Sequence, residues 1–262
     1  MWESEILRNK FHNSVKKKYS KKNTMEKDLA NHKKVCVILH LYYIDLWGYF
    51  LPYLKLIDAD IDLYVTITDG HSGQFTDIHD AVTLHFPQAY IYSLPNRGMD
   101  VAPFLFVMNE IYLSKKTYDV MIKLHSKKSL AHGFELGERW RNQLTDALLG
   151  SLSKLHSGYF SCVGSDKSMV GSSAWIQTQK VVGYEQQFFK VPITFSDYEF
   201  VAGTMFMANF NLIMDWFVLE SIYDRFYKEF ADGYIGDGSI AHQLERVLGC
   251  LVKINGQKIL RT

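Results

Sequence analysis

Four side chains that can carry a positive charge follow one another closely after a short apolar run. They are Lys123, His125, Lys127 and Lys128, and the hydroxyl of Ser126 lies between them. Such a cluster could bind an anion, and a diphosphate is the ligand that its charge fits best. A solvated basic patch is the alternative.

A second polar stretch precedes this cluster and contains Asn96, Arg97, Gly98 and Asp100. Arg97 could hold a phosphate with two hydrogen bonds, and Gly98 permits a positive φ or a close approach of two backbones. Asp100 could cap a following helix or accept hydrogen bonds from ligand hydroxyls. A simple turn explains the same residues equally well.

The predicted strands and helix around these two polar stretches indicate where the stretches lie in the fold. Apolar runs at 89–94 and 119–124 read as strands, and the apolar spacing between them predicts a helix over Val101–Leu113. In an open parallel sheet, the carboxyl ends of such strands lie on one edge, where ligands bind. Both polar stretches are therefore expected at that edge.

The remaining first half continues the same alternation of strands and helices. Strands are predicted at 35–42 and 61–67, and helices at 44–57 and 76–86. This pattern predicts an α/β fold of the Rossmann type, with a mainly parallel sheet flanked by helices.

The second half is expected to be richer in helices. The patterns predict a strand and three helices, of which Ser239 caps the last, and they allow a final edge strand. The five elements are expected at 138–149, 199–208, 211–230, 239–248 and 251–254.

Composition bounds the domain organisation and the partners. The 262 residues are 47% hydrophobic, with a net charge of +1, so nothing indicates a nucleic-acid partner. Residues 1–34 hold ten Lys/Arg against four Asp/Glu. We expect a basic, partly disordered leader there, or one that contacts anionic lipid as a peripheral membrane segment. A single domain is expected over 35–262.

Three cysteines and the hydropathy pattern bear on location. Cys36, Cys162 and Cys250 are widely spaced, so we expect free, buried thiols rather than a disulfide or a metal site. Neither a signal peptide nor a membrane-spanning run is visible. These features favour a cytoplasmic protein.

Several motifs together resemble the rhamnan synthesis protein F family. The similar stretches span about 35–250 and include 37–43, 62–66, 96–105, 123–129, Trp140-Arg141, 203–206 and 242–246. The resemblance implies a glycosyltransferase of cell-surface polysaccharide assembly, typically for rhamnose. It also implies a nucleotide-sugar donor, a glycan or lipid-linked glycan acceptor, and donor and acceptor halves at 35–130 and 131–262. Met99 stands where the family pattern has a second arginine, which bears on substrate identity.

The resemblance also extends the set of expected substrate-binding residues into the second half. It adds Trp140, Arg141, Gly203, Thr204, His242 and Arg246. Gly203 and Thr204 are expected to shape the acceptor or sugar pocket, with tight packing as the alternative for this pair.

The layout further resembles GT-A glycosyltransferases, in which a corresponding strand leads to an Asp-x-Asp metal motif. Here that strand leads to His125 and Lys127 instead. Fixed cations can stabilise a departing diphosphate as a metal does, so we expect metal-independent transfer without a cofactor. A GT-B arrangement is the structural alternative, although the chain is short for two Rossmann domains.

An inverting transfer needs a base, and the second half offers several carboxylates. Asp237, in a glycine-rich loop, is the first candidate and Glu245 the second, followed by Asp197 and Glu199. Asp237 could equally cap a helix, and Glu245 could pair with Arg246. A non-catalytic glycan- or nucleotide-binding subunit of a polysaccharide assembly complex is the alternative function.

Overall fold

The structure is a computed structural model of the chain. The described residues are 34–57, 59–69, 72–126, 128, 134–151, 162–171, 199–217, 222–233, 239–254, 257 and 259–262. The predicted leader, apart from Lys34, lies outside them.

Strands and helices alternate through the first half of the described chain, as predicted. The strands are β1 (Lys34–Leu41), β2 (Asp60–Thr68), β3 (Tyr90–Leu94), β4 (Val120–His125), β5 (Cys162–Gly164), β6 (Met169–Val170), β7 (Phe200–Val201), β8 (Phe206–Asn209) and β9 (Ile259–Arg261). The α-helices are α1 (Trp47–Leu54), α2 (Ser72–Thr83), α3 (Val101–Leu113), α4 (Phe134–Leu149), α5 (Phe210–Phe217), α6 (Ile222–Tyr227) and α7 (Ile240–Ile254). Short 3-10 helices occupy Ile44–Leu46 and Asp166–Ser168.

A seven-stranded sheet organises the described residues, in the order β3-β2-β1-β4-β8-β5-β9. The pairs β1–β2, β1–β4, β2–β3 and β5–β9 are parallel, and only β8 runs against its neighbours. The mainly parallel α/β fold is therefore confirmed. The sheet crosses from the first half of the chain into the second where β4 pairs with β8.

The central strand β1 shows why the apolar runs fold this way. Its residues from Val35 to Leu39 are at most 1% exposed, because helices cover both faces of the sheet. The units β1-α1-β2 and β2-α2-β3 build toward one edge of the sheet, whereas α3 leads back past β1 to β4. Right-handed crossovers therefore place α3 on the face opposite α1 and α2.

Helix α3 is apolar around most of its circumference because it is buried on several sides. Phe104 meets Phe206 of β8 with ring centroids 6.1 Å apart, and Phe106 meets Tyr223 of α6 at 5.4 Å. Helices α5 and α7 also pack against it. A helix from the first half thus serves as the core on which second-half helices assemble.

Three predictions for the second half are wrong. The run 199–208 is not one strand, because a turn with positive φ at Gly203 and Thr204 separates β7 from β8. The predicted helix 211–230 ends too late, because the backbone after Tyr227 is not helical; its described parts are α5 and α6, and residues 218–221 lie outside the described chain. Residues 251–254 belong to α7, since a short apolar run fits a helix as well as a strand. The edge strand is β9.

The three cysteines are free and buried, as predicted. None of the described helices has the length and apolar character needed to cross a membrane.

Candidate functional site

The strand order creates a topological switch point between β1 and β4. Strands β2 and β3 lie on one side of β1, and the chain then crosses to β4 on the other side. In open α/β sheets, ligands bind in the crevice outside the carboxyl ends of the strands at such a point. His40 and His125 are register partners at the carboxyl ends of β1 and β4.

Hydrogen bonds fix the backbone around this point. The Ser126 amide donates to the His40 carbonyl at 2.8 Å, and the Ser126 hydroxyl accepts from the Tyr43 amide at 2.8 Å. The exits of β1 and β4 are thereby held side by side. Ser126, predicted as a substrate ligand, orders the edge of the crevice through these bonds.

His40 is a buried, neutral imidazole at the switch point. It is 6% exposed, and its Nδ1 lies 3.0 Å from the Thr66 hydroxyl of β2. Burial lowers the pKa of His40 to about 3, and the positive charges of His125 and Lys123 act in the same direction although Asp100 opposes them. The imidazole therefore carries no charge at neutral pH.

A buried ion pair lies beneath the crevice, on the α3 face of the sheet. The Lys123 ammonium, on a side chain 1% exposed, pairs with the Asp100 carboxylate, which is 14% exposed. Asp100 also accepts from the Thr204 hydroxyl at 2.6 Å. Burial alone would raise the pKa of Asp100, but His125, Lys123 and these hydrogen bonds outweigh it and hold the pKa well below its usual range. Asp100 is thus charged, and its side chain makes no cap bond to α3.

The turn between β7 and β8 is the point where these elements converge. Gly203 has φ +92° and Thr204 has φ +45°, so a residue with a β-carbon occupies the left-handed region. The Lys123 ammonium donates to the Thr204 carbonyl at 3.0 Å, and His125 Nε2 lies 2.6 Å from the Gly203 carbonyl. Because a carbonyl only accepts, His125 Nε2 carries a proton.

Glu245 joins the same turn from α7. Its Oε1 accepts from the Gly203 amide at 2.6 Å. Three predicted first-half residues (Asp100, Lys123 and His125) and three predicted second-half residues (Gly203, Thr204 and Glu245) therefore share one network.

Arg97 and its neighbours contact a different segment, Lys228–Gly233, which follows α6 and which we call the strap. Arg97 Nε donates to the Phe230 carbonyl at 2.7 Å, and the guanidinium lies 4.8 Å from the Tyr227 ring centre. A weaker ion pair joins Arg97 to exposed Asp232 at 3.6 Å. Arg97 thus satisfies backbone carbonyls just beyond a helix C-terminus, a favourable place for a cation.

Asn96 and Gly98 complete this attachment. The Asn96 carbonyl accepts from the Gly233 amide at 2.8 Å, and the Gly98 amide donates to the Ala231 carbonyl at 3.0 Å. Gly98 has φ +64°, and a β-carbon there would lie 2.7 Å from the Phe230 ring. The positive φ proposed for this glycine is confirmed; the backbone approach is the bond to Ala231, and the crowding comes from the Phe230 side chain.

The other predicted binding residues make their described contacts on several elements. Trp140 donates to the Ser168 hydroxyl at 2.8 Å, and the Arg141 guanidinium lies 4.6 Å from the Tyr49 ring centre. His242 Nδ1 lies 2.8 Å from the hydroxyl of Ser239, which caps α7, and Arg246 lies 5.9 Å from the Phe200 ring centre.

Five further predicted residues carry charged side chains. Lys128 pairs with Asp45 at 2.7 Å, and Glu199 pairs with Arg261. Lys127, Asp197 and Asp237 lie outside the described residues. The roles of all these residues as ligands or bases stay predictions.

Sequence reasoning missed His40 and Thr66 as members of the site. The sequence did contain a signal for both residues, since each is a polar residue near the end of an otherwise apolar strand. Their meeting with His125 depends on strand order and register, which the sequence does not display.

The described side chains near the exit of β4 include the carboxylate of Asp100, which is already paired. The Lys123 ammonium occupies the Asp100 carboxylate there, and no three metal-ligating side chains converge within the described chain. Metal independence stays a prediction.

Comparison with known proteins places the chain in a family. The family model for rhamnan synthesis protein F matches residues 3–159, which is more than half of the chain. This chain belongs to the rhamnan synthesis protein F family. The match includes the loop at 96–100 and the exit of β4, so the resemblance drawn from those motifs is confirmed.

Curated relatives of this family member come from Xanthomonas campestris pv. campestris. Two proteins, both named uncharacterized protein WxcX, are 26% identical over 237 residues and 25% identical over 232 residues. Each alignment covers 86% of this chain and 32% of the relative. The chain thus spans about a third of the length of these relatives.

A distant structural similarity was also found. It is to glucosyl-3-phosphoglycerate synthase from Mycobacterium tuberculosis, crystallised with Mn²⁺, uridine diphosphate and phosphoglyceric acid. The TM-score is 0.36 at 13% identity, covering 86% of this chain and 80% of that one. That score is too low to carry function from one protein to the other.

Proposed function

We propose that this chain is a glycosyltransferase of the GT-A type that transfers a deoxyhexose, rhamnose, from a nucleotide sugar to a growing cell-surface polysaccharide. One observation carries the proposal: polar side chains held by hydrogen bonds lie at the switch point between β1 and β4, within a family tied by name to rhamnan synthesis. Such a crevice is where an open α/β sheet binds its ligand.

Fixed charges would serve the departing nucleoside diphosphate. His125 is the last residue of β4, and Lys127 and Lys128 follow it within three residues in the sequence. Preorganised cations stabilise charge that develops on a leaving group without reorganising during the reaction. The buried Lys123–Asp100 pair would hold this exit and the β7–β8 turn in place rather than contact the diphosphate.

The acceptor hydroxyl would lose its proton to a carboxylate from the second half, with Asp237 as the first candidate and Glu245 as the second. We place a lipid-linked glycan at this side, with the Lys-rich residues 1–34 attracted to the membrane surface. The enzyme would act in the cytoplasm without a metal or cofactor.

A transfer assay tests the proposal directly. Purified protein would be incubated with a panel of nucleotide sugars and a short glycan acceptor, and product would be followed by mass spectrometry. We expect one deoxyhexose donor to be used, with turnover unchanged by EDTA. Loss of turnover in EDTA and its recovery with Mg²⁺ or Mn²⁺ would contradict the metal-free step. Asp237→Asn should keep donor binding and lose transfer.

The internal contacts of Arg97 and Lys123 support a second candidate, a non-catalytic nucleotide- or glycan-binding subunit. Both side chains are engaged with protein groups and so contribute less to a substrate site than their charge suggests. Donor binding without hydrolysis or transfer, across the whole panel, would favour this candidate.

A further inference from the structure

A second cleft opens at the amino edge of the sheet, at the other end of the strands from the switch point. Its volume is about 260 Å³. Polar or ionisable residues make up its entire lining: Lys34, Asp60, Asp62, Lys115, Lys116, Thr117 and Tyr118. The eight residues of β1 separate this cleft from the crevice by roughly 25 Å at about 3.3 Å per residue.

The inner wall of the cleft is a fixed network of hydrogen bonds. Lys116 Nζ pairs with Asp62 Oδ2 at 2.9 Å, and the Tyr118 hydroxyl donates to the same oxygen at 2.6 Å. The Tyr64 and Tyr118 hydroxyls lie 2.7 Å apart, on side chains that are 2% and 7% exposed. The wall therefore offers a ligand a rigid polar surface, which lowers the entropy cost of binding.

Lys115 at the mouth of the cleft has an unfavourable backbone conformation. It follows α3 with φ +55°, and its amide donates to the Tyr112 carbonyl at 3.1 Å. Glycine is the usual residue in this left-handed position after a helix. A strained residue beside a cleft points to a use for its side chain.

The charges that line the cleft do not all neutralise one another. Lys116 and Asp62 form a pair, whereas Lys34, Lys115 and Asp60 form no ion pair within the described chain. Two cations and one carboxylate are thus available to a ligand. A single anionic group suits the two lysines, and hydroxyl groups suit the carboxylate and Thr117.

We propose that this cleft binds an anionic saccharide, a sugar unit that carries a carboxylate or a phosphate. Lys34 and Lys115 hold the anionic group, while Asp60 and Thr117 bind ring hydroxyls. The volume lies just below the range of drug-sized sites, about 300–1,000 Å³, and so fits a ligand of roughly one sugar unit. The saccharide assignment rests on the proposed function, since a polymerising enzyme meets its glycan product away from the transfer centre.

Titration of the full chain with glucuronate, galacturonate and glucose 6-phosphate tests this, with binding followed by ligand-detected NMR. Glucose, rhamnose and inorganic phosphate serve as comparators. We expect the three acidic sugars to bind at least tenfold more tightly than the neutral sugars and phosphate. Lys115→Gly should weaken their binding at least tenfold while raising the melting temperature. Lys55→Ala, at an exposed amino-edge lysine outside the cleft, should change neither quantity.

Three results would overturn the proposal. They are the absence of acidic-sugar binding to the wild type, equal binding of phosphate or neutral sugars, and unchanged affinity in Lys115→Gly. Its failure is separable from that of the proposed function, because turnover on a short acceptor does not need the cleft. Turnover without acidic-sugar binding would refute only the proposal for the cleft. If acidic sugars bind in a way that depends on Lys115 but no donor is turned over, the glycosyltransferase proposal is refuted. The cleft would then still be a saccharide-binding site.

Discussion

The buried pair between Lys123 and Asp100 predicts a strong and asymmetric response to mutation. In Asp100→Asn, the Lys123 ammonium would stay 1% exposed and lose its charged partner, with only neutral groups left to it: the new amide oxygen, the Thr204 carbonyl at 3.0 Å and the Phe104 ring at 5.5 Å. An uncompensated buried charge typically costs about 3–5 kcal/mol, so the free energy of unfolding should fall by that amount.

Lys123→Met should cost less, near the lower end of the same range of about 3–5 kcal/mol. The Asp100 carboxylate would keep the Thr204 hydroxyl at 2.6 Å, and its 14% exposure gives it some contact with water. The double variant leaves no buried charge at this place. Its cost should therefore be about 2–3 kcal/mol smaller than the sum of the single costs.

Urea denaturation of the four proteins at pH 7 measures this cycle. Additivity within about 0.5 kcal/mol would refute the reasoning, because contacting residues of a buried network are expected to couple by more. A pH series adds an independent check. Since the folded pKa of Asp100 is depressed, its stabilising effect is present above the unfolded value of about 3.9 and is lost as pH falls below it. The difference in the free energy of unfolding between wild type and Asp100→Asn should therefore become smaller below that pH.

Three further predictions concern single residues. Gly98 and Gly233 both have positive φ, but of the two only Gly98 is crowded. Gly98→Ala should therefore lower the free energy of unfolding by about 1–3 kcal/mol more than Gly233→Ala, as measured by thermal unfolding. Equal losses would contradict the steric argument. The pKa of His40 is lowered to about 3 in the folded state, so the free energy of unfolding should fall as pH drops from about 6.5 toward that value. The slope should reach at most about 1.4 kcal/mol per pH unit. Urea titrations at several pH values should show a smaller slope for His40→Gln. Glu245→Gln keeps an acceptor for the Gly203 amide, so transfer activity should survive if Glu245 only positions the turn and vanish if it is the base.

Local patterns were enough to predict the first half of the fold. Strand β1 reads as an uninterrupted apolar run because both faces of the sheet are covered, and α3 reads as a helix from its apolar spacing. The parallel-sheet rule then places the exits of β3 and β4 on one edge. The approximate location of the candidate site therefore follows from residues that are near one another in the chain.

The partners of the charged residues could not be predicted in the same way. Lys123 meets Thr204, which is 81 residues away, and Arg97 meets Phe230, which is 133 residues away. Such contacts depend on which second-half helices pack around α3 and on the turn that interrupts the predicted strand at 199–208. A lysine or arginine within a polar motif looks the same in the sequence whether it faces a ligand or a buried carboxylate.

The protein partners of Arg97 and Lys123 limit the part that these two side chains can take in binding an anion. Arg97 holds the strap to the loop at 96–100, and Lys123 holds the β7–β8 turn to the start of α3. Both cations thus join the first half of the chain to the second. His125 ends β4 beside His40 of β1, and Ser126 and Lys128 follow it at the same end of the sheet, so these residues stay the predicted ligands of the anion. A variant at Arg97 or Lys123 should therefore lower stability together with activity, whereas one at Lys128 should weaken donor binding with little loss of fold.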